Sequence, residues 1–307
     1  MKMNRINLGK SGILGSEVAL GCMRMNALSE KEAQTMIETA VEHGINFFDH
    51  ADIYGKGESE KIFANALKNS SIKREDIVLQ SKCGIGDKMY DFSKSHILKA
   101  VDGILERLQT DYLDILLLHR PDPLMEPEEI AEAFSELQNA GKVRQFGVSN
   151  FHPYQVDLVQ KYISQKLIVN QLQFSIAHTG MIDFGMHVNM KDERSINHDG
   201  GILEYSRLHD ITIQAWSPFQ YGFFEGVFID DPKFPELNEK LGQLAQAQGV
   251  SKEAVATAWI LRHPAKIQVI AGTMNPERLK KITEASKVSL TRRDWYDIYF
   301  AAGNDLP

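Results

Sequence analysis

Short runs of aliphatic residues alternate along the chain with longer stretches whose apolar residues recur at the three-and-four spacing of a helix face. Residues 18–25, 45–51, 77–84, 112–120, 143–150, 168–175, 212–219 and 267–274 read as eight strands. Residues 30–43, 58–69, 93–108, 127–140, 153–163 and 235–248 read as amphipathic helices between them. The punctuation agrees: Ser29 and Ser93 stand at N-cap positions, Pro153 in a first helical turn, and Gly44, Gly141 and Gly249 just past helix ends. Eight strand-then-helix units predict a closed parallel (β/α)8 TIM barrel, with residues 1–307 forming a single domain. A doubly wound open sheet is the alternative, but it would place a glycine-rich turn after the first strand. VALGCMRM at 18–25 contains no GxGxxG.

Three segments lie outside the repeating unit. Residues 4–18 carry a β-hairpin pattern around Lys10-Ser11-Gly12, placed to plug the barrel's N-terminal end, and the C-terminal tail adds an extra helix. Residues 177–201 and 220–234 are long polar connections, and in a barrel both fall at the C-terminal ends of strands, where active sites are built.

Composition narrows the class further. With 34 Lys+Arg against 41 Asp+Glu the net charge is −7, which argues against non-specific binding to nucleic acid or an anionic membrane. The longest apolar run, Leu113–Leu118, stops at His119-Arg120, far short of the roughly 20 residues a bilayer span needs. Residues 1–10 are polar and mixed, without the apolar run of a secretory leader. Cys22 and Cys83 lack the number for a disulfide framework and the spacing for zinc, and are expected to be reduced thiols in a cytoplasmic protein.

The chemistry gathers at strand ends. Alternation along the second strand turns Ile45, Phe47 and Asp49 to one side; Lys82 ends the third strand, and His119 ends the fourth after Leu113, Ile115 and Leu117. Adjacent strands lie about 4.8 Å apart, so Asp49, Lys82 and His119 are expected at one rim, with Tyr54 on the adjoining loop. A free tyrosine, with a pKa of about 10, exchanges protons poorly near neutrality. A buried Lys82 ammonium would lower it, Asp49 would keep that ammonium charged, and His119 would hold a carbonyl oxygen against the phenol. No serine–histidine–acid arrangement or metal-ligand cluster is evident, so the electron pair must come from elsewhere, and a hydride-donor cofactor fits. Singly, each residue has a plainer reading: a rim salt bridge, a core histidine, a loop aromatic.

GINFFDHADIYG at 44–55 resembles the G-x-x-x-x-D-x-A-x-x-Y-G segment of the aldo-keto reductase family and continues, as there, into Glu58-Ser59-Glu60. DYLDILLLH at 111–119 and GKVRQFGVSNF at 141–151 are similar to two further family signatures, and the likeness runs nearly end to end. Trp216-Ser217-Pro218 and the tail look like a bacterial general-oxidoreductase branch. The resemblance implies Tyr54 as general acid, Lys82 as the group tuning it, Asp49 as the lysine's partner and His119 as the carbonyl-orienting residue. It further implies Ser149, Asn150 and Gln171 as partners of a nicotinamide carboxamide, and Trp216 as the aromatic stacking on the ring. Ser217, Pro218, Phe219, Cys22 and Met23 are expected to line the same cofactor path. Gly272, Thr273, Met274 and Arg278 match the adenosine-phosphate end, where amides at a helix start and Arg278 would hold a 2′-phosphate. Residues 272–275 contain no lysine, which many members have there.

The expected activity is NADPH-dependent reduction of an aldehyde or ketone, with NADH as the other possible donor and a small-molecule carbonyl as partner. Met23, Arg24, Tyr90, Phe92 and Phe223 are candidate substrate contacts, and Cys22 and Cys83 read as small residues lining the mouth. Two other classes stay open: a non-catalytic dinucleotide-binding regulatory subunit on the same barrel, and a lyase or isomerase forming a Schiff base on Lys82. The sequence leaves substrate and oligomeric state open.

Overall fold

A computed structural model describes residues 3–307; residues 1 and 2 of the expected span lie outside the described residues. Eight strands run parallel and close on themselves: β3 (Val18–Gly21), β4 (Phe47–Asp49), β5 (Val78–Cys83), β6 (Leu113–Leu118), β7 (Val143–Ser149), β8 (Leu167–Gln173), β9 (Thr212–Trp216) and β12 (Gln268–Ala271), with β12 pairing back onto β3. The expected TIM barrel is the observed one. The antiparallel hairpin of β1 (Arg5–Asn7) and β2 (Leu14–Ser16) precedes it. Leu8 at its tip is fully buried against Phe47, Ile115, Ile168 and Ile270, so the hairpin does plug the barrel floor. Gly9 sits there at φ +54°, and a Cβ would meet Ile168 Cβ at 2.5 Å, so only glycine fits.

The helices α1 (Glu30–Glu42), α2 (Glu58–Lys68), α3 (Lys94–Leu108), α4 (Pro127–Asn139) and α5 (Pro153–Tyr162) follow β3 to β7 in turn, as the pattern predicts. Ser29, Ser93 and Thr291 cap their helices by accepting backbone N–H bonds. The span 177–201 is not a bare connection. It folds into α6 (Gly180–Met186) and a 3-10 turn before α7 (Ile202–Leu208), and Tyr299 and Arg194 tie it down through Asp183. The second long connection holds a small hairpin, β10 (Gln220–Tyr221) with β11 (Gly226–Val227). Helices α8 (Pro235–Gln248), α9 (Lys252–Leu261), α10 (Pro276–Thr283) and α11 (Arg292–Ala301) complete the wall. The added C-terminal helix α11 is fastened by stacking of Trp295 on Trp259 at 4.7 Å, each indole N–H donating to the other residue's carbonyl.

Side-chain parity explains the interior. In β5, Val78, Gln80 and Lys82 point inward, while Leu79 and Cys83 pack outward against the helices and Ser81 bonds to Glu60 of α2. Ile45, expected beside Phe47 and Asp49, lies instead in the outer core, because regular alternation begins only where β4 starts at Phe47. No helix among the described residues is long and apolar enough to cross a membrane.

Candidate active site

The C-terminal ends of β4, β5 and β6 bring Asp49, Lys82 and His119 to one rim, and the 3-10 turn Tyr54–Gly57 carries Tyr54 over them. Lys82 is fully buried. Its amine donates to both Asp49 oxygens at 2.8 Å, to the His50 carbonyl at 2.7 Å and to the Tyr54 phenol oxygen at 3.1 Å. An ammonium has three protons, and Asp49, His50 and Tyr54 take all of them. The amine therefore has neither exposure nor a free lone pair for a Schiff base. Because the Tyr54 oxygen accepts from Lys82, the phenol's own proton is free to face the pocket. The His119 ring stands edge-on to Tyr54, with centroids 6.0 Å apart.

The electrostatics differ from the expectation in one respect. Burial pushes the Tyr54 phenol above the usual tyrosine value, and although Lys82 pulls it down, Asp49 adds to the upward push and the net is a raised pKa. A buried ring gives up more hydration on ionising than one ammonium returns. Lys82 is itself pressed to discharge by burial, but Asp49 and the Tyr54 oxygen outweigh this and hold it above the usual lysine value. Burial, then the Lys82 and Arg120 charges, hold His119 well below the usual histidine range, so its imidazole is neutral at neutral pH.

Behind Asp49 lies a buried glutamine network that nothing in the chain's periodicity announces. Gln80 and Gln171 donate to Asp49 at 2.6 and 3.1 Å and to Gln214 Oε1 at 2.9 and 3.2 Å. Gln214 donates onward to Gln80 and to Gln268, and Gln268 to the Ser16 carbonyl of the N-terminal hairpin. Hydrogen bonds thus link the rim carboxylate to the barrel floor.

A cavity of about 840 Å³ opens over this rim. Tyr54, His119 and Asp49 line it, as do Ser149, Asn150 and Gln171. Gln171 spends its amide N–H2 on Asp49 and Gln214, while Asn150, in the left-handed region at φ +60°, accepts the Trp216 indole N–H at 3.1 Å. Trp216, Ser217, Pro218 and Phe219 continue the wall, and Gly272, Thr273, Met274 and Arg278 form its far end. Met23, Arg24 and Phe223 also line it.

Other expected residues do not. Cys22 and Cys83 are fully buried among the outer-core residues, the side opposite to the inward-pointing Asp49 and Lys82. Burial raises both thiols well above the ordinary value, so neither is a thiolate. Phe92 is buried beside Gly84, and Tyr90 lies off the cavity. The amides at the start of α10 are largely committed: Pro276 has none, and that of Arg278 donates to Asn275 Oδ1 at 3.1 Å. An anion at this end would rely on the Arg278 side chain. Sequence reasoning missed Arg120 and Phe224, which also line the cavity. The signal for Arg120 was its place directly after His119 at a strand end.

The aldo/keto reductase family profile matches residues 17–299. The chain belongs to that family. It is 38% identical to "Uncharacterized oxidoreductase YcsN" of Bacillus subtilis, over 99% of this chain and all of the relative. It is 34% identical to "Oxidoreductase YdhF" of Escherichia coli (99% of this chain, all of the relative) and to a "6-dehydroglucose reductase" of Agrobacterium fabrum (89% of each). Among solved structures, an aldo-keto reductase from Klebsiella pneumoniae in complex with NADPH superposes with a TM-score of 0.76 at 22% identity, covering 97% of this chain and 94% of that one. As an aldo-keto reductase, the protein is an oxidoreductase that uses a nicotinamide cofactor and acts on small carbonyl compounds.

Proposed function

We propose that this aldo-keto reductase works as one barrel domain, taking an aldehyde or ketone to the alcohol with NADPH as donor and Tyr54 as proton source. The observation that carries the reading is the 3.1 Å contact from Lys82 to the Tyr54 oxygen, with the remaining Lys82 protons taken by Asp49 and His50. The cavity suits a nicotinamide dinucleotide. Uncharged amide and hydroxyl groups of Ser149, Asn150 and Gln171 match a carboxamide, Trp216 offers a pinned flat ring, and Arg278 supplies a cation at the far end.

When bound, the reduced nicotinamide supplies a hydride to the carbonyl carbon. Neutral His119 donates a ring N–H to the carbonyl oxygen and holds it beside Tyr54. Tyr54 gives that oxygen its proton, completing the alcohol, and the phenolate left behind faces the Lys82 ammonium. A raised phenol pKa serves this role, since the acid keeps its proton until negative charge develops on the substrate. Preference for NADPH rests on Arg278, because Lys280 is paired with Glu277 at 2.8 Å.

The test is oxidation of NADPH and of NADH by the purified protein with a panel of aldehydes and dicarbonyls. Carbonyl-dependent turnover is expected, faster with NADPH at low cofactor. Tight dinucleotide binding with no turnover across the panel would overturn the reading in favour of a regulatory subunit.

A further inference from the structure

One charged side chain in the cavity has no task in the chemistry above. Arg120 follows His119 at the end of β6 and is half-buried, yet among the described residues it has neither a carboxylate partner nor a hydrogen bond. Its guanidinium lies 5.9 Å from the ring centroid of Trp216, which ends β9, so the side chain spans the mouth. The indole is pinned by its bond to Asn150 and flanked by Phe223 and Phe224 at 6.2 and 6.3 Å. A guanidinium within about 6 Å of an aromatic face, with its N–H donors unspent inside a part-enclosed cavity, offers an anion more than a cation at an open surface does.

The cavity's own acids do not fill this place. Asp49 is held by Lys82, and Asp230 by Lys252 at 2.6 Å. Glu253 enters from α9, which packs against α10 and so lies at the Arg278 end. Arg24, from the loop after β3, adds a second cation without a partner among the described residues. At a net charge of −7 the whole-chain field does not attract anions, so a local cation would do so.

We propose that Arg120 binds a carboxylate on the substrate, making the preferred substrate a short oxo-acid whose aldehyde or ketone lies at Tyr54 and His119. This rests on the reduction reading above. The test compares succinic semialdehyde with butanal, which has the same chain length and no carboxylate, in the wild type and in Arg120→Met. Wild-type kcat/KM is expected to favour the acid at least tenfold. Arg120→Met should shrink that ratio roughly ten- to a hundredfold, mostly through KM for the acid. The wild-type ratio needs no variant, so a misfolded Arg120→Met leaves it decisive. A wild-type ratio near one overturns the inference. So does an unshrunk ratio in Arg120→Met accompanied by weaker NADPH binding in a fluorescence titration, which would make Arg120 a cofactor-phosphate ligand. Turnover of neither aldehyde, nor of any other carbonyl, with either dinucleotide would instead overturn the reduction reading itself.

Discussion

Lys82 and Tyr54 share a hydrogen bond of 3.1 Å in which the ammonium donates and the phenol oxygen accepts. The direction of that bond decides what Tyr54 can do. An oxygen that accepts from behind has its proton free in front, and the phenolate formed on giving it up meets a charge already in place. Tyr54→Phe should therefore cut kcat/KM for reduction by roughly 10²- to 10⁴-fold while dinucleotide affinity stays within a few-fold. Steady-state kinetics and a binding titration together check this, and retained turnover would remove Tyr54 from its role. Because burial lifts the phenol above its ordinary value of 10.0, reduction driven by this acid should decline only on the alkaline side.

Lys82→Met tests the partner. Asp49 would keep Gln80 and Gln171 but lose its counter-charge in a buried site, at a cost of about 3–5 kcal/mol in stability. Reduction should fall as far as in Tyr54→Phe. Denaturant unfolding separates the two effects: an inactive variant with unchanged stability would mean that Asp49 is balanced by something other than Lys82.

The barrel was legible because eight apolar runs with helices between them leave few other closures, and each of the eight barrel strands falls inside or within one residue of its expected run. Asp49, Lys82 and His119 were legible for the same reason, since strand ends in a barrel share one rim. What escaped was set by parity and by folding between strands. Cys83 follows the inward Lys82 and must face outward, a consequence of period-two alternation that proximity along the chain conceals. Helix α6 is two turns of Gly- and Met-containing sequence held by Asp183 contacts from distant residues, so no local periodicity marks it. The glutamine network likewise joins four strands, and its meaning appears only once they close.

That network gives a separate prediction. Gln214 bridges Gln80, Gln171 and Gln268 at the barrel axis. Gln214→Leu would leave amide groups of its neighbours buried without partners, and should cost roughly 1–3 kcal/mol for each group stranded. Gln80 and Gln171 would keep their bonds to Asp49 but lose the partner that fixes their own amides, so Asp49 is held less rigidly and kcat should drop more than KM rises. Unfolding and kinetics on the same preparation check both, and a variant of wild-type stability would show that the amides re-pair or that water replaces them.

On the proposed reading, the cofactor preference would rest on Arg278. Its guanidinium has no carboxylate partner among the described residues, and the neighbouring backbone amides are largely engaged by the Asn275 cap and by Pro276. Arg278→Gln should weaken NADPH binding roughly ten- to a hundredfold and NADH binding less than about threefold, because only the former carries a 2′-phosphate. Equal losses for both dinucleotides would place the guanidinium at the shared pyrophosphate.

Beneath the Tyr54 turn, Asp52 introduces a dependence of stability on pH. Its Oδ1 is buried without a partner among the described residues, and burial, then the nearby Glu60 carboxylate, raise its pKa from 3.8 to about 7 against the opposing pull of Arg107. Glu60 is itself buried, accepting from Arg107 at 2.7 Å and from Ser81 at 2.8 Å. Between 3.8 and about 7 the folded protein binds a proton at Asp52 that the unfolded chain has released. Folding is therefore favoured by this group at low pH, and the contribution disappears as pH rises through about 7. Asp52→Asn keeps the shape of the protonated acid and cannot ionise. Relative to that variant, the wild type should lose melting temperature progressively from about pH 4 to about pH 7 and little more above that, with the two curves converging below about pH 4. Thermal unfolding across that range decides it: curves that stay parallel would mean that Asp52 is already ionised in the folded protein at the lower pH.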